Sequence, residues 1–105
     1  MKVKFATSDT NAYHRIRIHV TSDDKTVWQG EINIGDTITV VIPEAPKEAT
    51  ATFVTLEALL NYLRHNDELK RKELQDALLY TCMHIEELYK RCESNRELAI
   101  TAYNA

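Results

Sequence analysis

The sequence predicts an α+β fold: a four-stranded antiparallel β-sheet in the N-terminal half, followed by two or three α-helices packed on one face. Three observations carry this. Apolar and polar residues alternate through most of the first 42 positions, the period of half-buried strands. Both glycines, Gly30 and Gly35, and both prolines, Pro43 and Pro46, fall before residue 47. After that point no helix breaker occurs, and apolar residues recur every three or four positions.

The strands come first. Val3 and Phe5 form an edge strand, with Lys2 and Lys4 turned outward. Ile16, Ile18 and Val20 share one parity, and Arg15, Arg17 and His19 hold the other. Trp28, Ile32 and Ile34 continue the apolar phase, followed by Ile38, Val40 and Ile42, so that these side chains make the core of the sheet. Thr21-Ser22-Asp23-Asp24-Lys25 is the first turn. Pairing Ser22 with Thr26 sets Val20 opposite Trp28, Ile18 opposite Gly30, and Arg17 opposite Glu31 as an opposite-charge contact. Gly30 facing Ile18 leaves room for a helix residue over the sheet. Gly35-Asp36-Thr37 reads as a three-residue loop. A two-residue Gly-Asp turn would pair Ile34 with Thr37 and flip the apolar phase to the other face.

The helices follow a linker over residues 44–52. A first helix runs from Phe53 to His65 with Leu56, Leu59, Leu60 and Leu63 on one stripe. His65-Asn66-Asp67 ends it, and Asn66 or Asp67 caps the next. The second helix runs from Glu68 to Arg91, with favourable pairs Glu68–Lys72, Glu86–Lys90 and Glu87–Arg91. Ser94-Asn95-Arg96-Glu97 has the capping-box spacing, so a short third helix begins there and carries Leu98, Ala99, Ala102 and Tyr103. Residues 1–105 thus read as a single domain, with a sheet part at 1–43, the linker at 44–52 and a helical part at 53–105.

A chain of 105 residues with 44% apolar residues can bury a core without a metal or a disulfide, and its charge of −3 gives no overall pull on phosphates. No apolar run approaches the roughly 20 residues of a membrane span. Met1-Lys2-Val3-Lys4-Phe5 leads into no apolar signal region. Cys82 and Cys92, ten residues apart on a helix, would be separated by about 15 Å, beyond the roughly 7 Å limit of a disulfide. Two free thiols suit a reducing compartment, so the expected location is cytoplasmic.

Chemical motifs are few. His14, His19, His65 and His84 are scattered, no cysteine lies near another, and neither a metal nor a cofactor is expected. There is no phosphate loop, nucleophile elbow or zinc-protease motif, and Asp9, Asp23, Asp24 and Asp36 are turn formers. Cys82 and His84 are two apart and point to different sides of a helix, so no enzyme is expected. The sheet face opposite the core carries Lys2, Lys4, Arg15, Arg17 and His19, with Tyr13 at one end, diluted by Gln29, Glu31, Asn33 and Thr39. Arg15, Arg17 and His19 are therefore candidate contacts for a nucleic acid or an acidic partner. A second basic cluster, Arg64-His65 and Lys70-Arg71-Lys72, is interleaved with Asp67, Glu68 and Glu73.

The second helix is the most informative segment. Leu74, Leu78, Thr81, Ile85, Leu88 and Cys92 recur at spacings of 4, 3, 4, 3 and 4, a core-facing seam. Ala77, Leu79, Tyr80, Cys82, Met83 and Tyr89 fill its flanks, and a helix apolar all round should be surrounded. Leu79, Tyr80 and Met83 are the expected interface with a second subunit. The expected function is that of a small non-enzymatic interaction or regulatory protein, such as an inhibitor. It would bind another protein and form a homodimer through its second helix. The alternatives are a nucleic-acid-binding module and a small-ligand binder.

Cys92-Glu93-Ser94-Asn95-Arg96-Glu97-Leu98 resembles a segment of the helical hairpin in phage proteins that sequester cyclic-nucleotide immune signals. The resemblance covers these seven residues, and the hairpin's aromatic-Ala-Asn segment has no counterpart here. It implies nucleotide sequestration as the small-ligand alternative.

Overall fold

The computed structural model describes residues 2–8, 14–44, 47–65 and 72–101. One antiparallel sheet contains β1 (Lys2–Thr7), β2 (His14–Ser22), β3 (Lys25–Ile34), β4 (Ile38–Glu44), β5 (Lys47–Phe53) and β6 (Glu97–Thr101). Their spatial order is β5-β4-β3-β2-β1-β6. Helices α1 (Leu56–Arg64), α2 (Lys72–Met83) and α3 (Ile85–Asn95) lie between β5 and β6 in the chain and share one core with the sheet.

The α+β class is as the pattern predicts, with six strands where four were expected. Both additions correct the reading of a flank. Residues 44–52 are mostly strand rather than linker: β5 returns along β4 with Val41 opposite Thr50, Val40 opposite Ala51 and Ile38 opposite Phe53. Thr50, Thr52 and Phe53 favour a pleated surface. The third helix expected from Ser94 does not form. The chain turns at Arg96, with φ at 62°, and Glu97–Thr101 pairs with β1. β1 therefore lies inside the sheet rather than at its edge, and Val3 and Phe5 are fully buried.

Register follows the apolar phase. Val20 faces Trp28, Ile18 faces Gly30 and Arg17 faces Glu31, as expected. The turn differs: Ser22 pairs with Lys25 and Thr21 with Thr26, so the loop is Asp23-Asp24 alone. Both residues take positive φ, 51° and 62°, as the tight hairpin turn with matching twist requires. The register shift between Val20 and Thr21 absorbs one extra residue of β3, Val27, as a bulge. Ile34 pairs with Ile38 across the Gly35 loop, and Ile38 and Val40 stay on the buried face.

The space over Gly30 is filled by Trp28 from its own strand rather than by a helix residue. A Cβ at Gly30 would stand 2.5 Å from the indole Cη2 and 2.6 Å from the Val41 carbonyl oxygen. The β3–β4 ladder runs from Ile34–Ile38 to Glu31–Val41, after which β4 continues against β5. Trp28 thus packs where β4 leaves β3.

Helix α1 starts later than Phe53 because Thr55 caps it, its Oγ1 accepting from the Ala58 amide at 3.1 Å. Leu59 and Leu63 are buried, Leu60 is half-buried, and Leu56 faces solvent. Phe53 stays in β5 and packs on Tyr62, ring centroids 5.0 Å apart. The single long second helix is two, broken at His84, whose backbone leaves helical geometry (φ −122°, ψ 23°). The Thr81 hydroxyl donates to the Ala77 carbonyl at 2.7 Å, a back-bond that bends helices. Leu74, Leu78, Thr81, Ile85, Leu88 and Cys92 are all buried, so the break keeps one apolar seam on the core. The Cys92 thiol donates to the Phe5 carbonyl at 3.4 Å and ties α3 to β1.

Ala45, Pro46, Tyr13, Asn66, Asp67, Glu68, Lys70, Arg71, Ala102 and Tyr103 lie outside the described residues. Among those described, no helix is long and apolar enough to cross a membrane.

Candidate binding face on the open sheet

The period of two that buries Val3, Phe5, Ile16, Ile18 and Ile32 turns the intervening residues to the other side of the sheet. Lys4 and Ala6 of β1, Arg17 and His19 of β2, Gln29 and Glu31 of β3, Val41 of β4 and Glu97 of β6 share that side. There they surround an open depression of about 580 Å³, floored by Ile18 and Gly30. Cross-strand register sets its layout. Lys4 faces His19, and His19 faces Gln29. Ala6 stands between Glu97 and Arg17, and Arg17 faces Glu31. The short Ala6 side chain leaves the hollow open between charged neighbours.

The expected site residues divide. Arg17 and His19 line the depression. Arg15 is held to one side: its Nε donates to Asn33 Oδ1 at 2.6 Å and lies 3.9 Å from Glu31 Oε2. The Glu31 carboxylate thus reaches Arg15, although its strand partner is Arg17. Among the described residues, Lys4 and Arg17 make no ion pair. His19 Nε2 shares a hydrogen bond of 2.6 Å with Thr26 Oγ1.

Leu79, Tyr80 and Met83 are on the helical layer. Leu79 and Tyr80 are half-buried against the core, and Met83 is 61% exposed. The Tyr80 ring packs on His84 at 4.5 Å, and His84 Nδ1 lies 3.7 Å from Glu87 Oε2.

The two cysteines are poor nucleophiles. Burial pushes the Cys82 thiol up to about 12. Burial also raises Cys92, opposed by the Leu98 amide at its sulfur and by the Arg91 charge. No group of three or more His, Cys, Asp or Glu able to hold a metal ion occurs among the described residues. The segment from Cys92 to Leu98 runs from the last turn of α3 into β6, whereas the segment it resembles belongs to a helical hairpin.

Sequence reading misses Ala6, Val41 and Glu97 as parts of the depression. Glu97 arrives only because β6 pairs with β1, and Val41 only because β4 pairs with β3 and sets it opposite Glu31. Comparison with protein-family models, curated proteins and solved structures yields no match.

Proposed function

We propose that this is a small non-enzymatic binding protein that engages another protein across the open face of its sheet. The depression around Arg17 carries the reading. Its rim interleaves the cations Lys4 and Arg17 with the carboxylates Glu31 and Glu97, and Val41 and Ala6 add apolar contact. Such a mixed surface suits a polypeptide bearing both charge signs, with charge pairs setting register and specificity. The two free, buried thiols support a reducing, cytoplasmic setting. The test is affinity capture from the native cell with wild-type chain and with Lys4→Glu/Arg17→Glu. Both positions are outward-facing, so the variant should keep the wild-type circular dichroism and lose the captured partner. Undiminished capture would overturn the reading.

A nucleic acid is the second reading, favoured by Lys4 and Arg17, cations without an ion-pair partner among the described residues. It requires a gel-shift complex that weakens steeply with salt. Arg17→Ala should weaken such a complex more than Arg15→Ala, because Arg15 is already engaged by Asn33.

A further inference from the structure

β6 is bonded to β1 on one side, and no described strand pairs with its other side. Soluble proteins protect such edges with lysine, proline or bulges. After the charge of Glu97, Leu98-Ala99-Ile100-Thr101 has none of these, whereas β5 at the opposite edge opens with Lys47-Glu48 just after Pro46. The apolar layer is also unfinished at β6. Leu98 and Ile100 are half-buried, while their partners Phe5 and Val3 are fully buried. The Cys92 sulfur of α3 donates to the Phe5 carbonyl and meets the amide of Leu98, the strand partner of Phe5, so these two backbone groups face each other. Strand alternation then points the N–H and C=O of Ala99 to the free edge.

We propose that β6 pairs antiparallel with β6 of a second copy, joining two sheets into one across a two-fold axis through Ala99. The strand is self-complementary in that register. Ala99 meets Ala99 of the copy and exchanges both backbone hydrogen bonds with it. Glu97 faces Thr101 of the copy, so no like charges oppose. Leu98 lies beside Ile100 of the copy on the helix side and completes the apolar layer. Two-fold symmetry is the commonest symmetry of homo-oligomers. The helical strip offers less, since Leu79 and Tyr80 are already half-covered by their own chain. The two-fold axis stands perpendicular to the sheet, so both Arg17 depressions open on the same side of the dimer.

The test is the mass of the intact chain by sedimentation or light scattering, from roughly 1 to 200 µM. Wild type should reach the dimer mass within that range. Ala99→Pro removes an outward N–H that β1 does not use. Ala99→Glu places two carboxylates on the axis while facing Lys4 in the monomer, which keeps the fold. Each should weaken the dimer about 10-fold or more, with the circular dichroism of Ala99→Glu unchanged. A monomeric wild type at the highest concentration overturns the proposal, as does a dimer that survives Ala99→Glu at wild-type strength. A dimer lost on Met83→Glu but kept in Ala99→Glu moves the contact to α2.

Discussion

Trp28 and Gly30 show how one residue's chemistry is set by its neighbour. The indole occupies the space that a Gly30 side chain would need. Gly30→Ala should therefore destabilise the fold by about 1–3 kcal/mol through overpacking, read as a lower denaturant midpoint. Trp28→Ala should cost about 3–5 kcal/mol, and an unchanged melting temperature would refute the packing role. The indole Nε1 is buried without a hydrogen-bond partner among the described residues, so the aromatic surface rather than the polar atom holds Trp28 in place. The cysteines give a prediction in pH. Burial lifts Cys82 from 9.0 to about 12, so between those values the unfolded chain has lost a proton that the folded chain keeps. This contribution is fully present below about pH 9 and is lost as pH rises toward 12. Denaturant titrations should show the midpoint falling over that window, with a smaller fall in Cys82→Ala.

At the scale of elements, left-handed backbone marks the two places where local sequence and fold disagree. Asp23 and Asp24 both hold positive φ, which aspartate tolerates and glycine prefers. Changing Asp23-Asp24 to Asn-Gly should stabilise the hairpin by about 0.5–1 kcal/mol, measured as a higher melting temperature. Arg96 holds φ at 62° where α3 turns into β6. The Ser94–Glu97 spacing suits a helix start, yet the pairing of Leu98 and Ile100 with Phe5 and Val3 outweighs that local preference. Arg96→Gly should raise stability by a similar amount, about 0.5–1 kcal/mol, since a positive-φ helix end favours glycine. The long second helix was legible as an apolar seam but not as two helices, because Thr81 fits that seam and its back-bond to Ala77, just before the bend at His84, leaves no mark in the apolar spacing.

For the whole molecule, the decisive fact is that β1 sits between β2 and β6. An edge strand tolerates truncation, whereas a central one carries the core on both sides. Phe5→Ala should therefore cost about 3–5 kcal/mol, enough to unfold a marginal domain, and chemical denaturation would register it. The candidate binding face was half legible. Arg17 and His19 stand out from alternation alone, while their neighbours Ala6 and Glu97 come from segments about 10 and 80 residues away in the chain, brought in by strand pairing.

Local chemistry determined the periods, the apolar phase and the central hairpin register. Alternation and helical spacing are properties of neighbouring residues, so Val20 opposite Trp28 and Ile34 opposite Ile38 could be read directly. Tertiary structure alone decided which strand closes the sheet. It also decided which charged residues surround the depression. Each of these depends on contacts between residues far apart in the chain. Leu98 is a strand residue because Phe5 is there to receive it, and no property of its own neighbours says so.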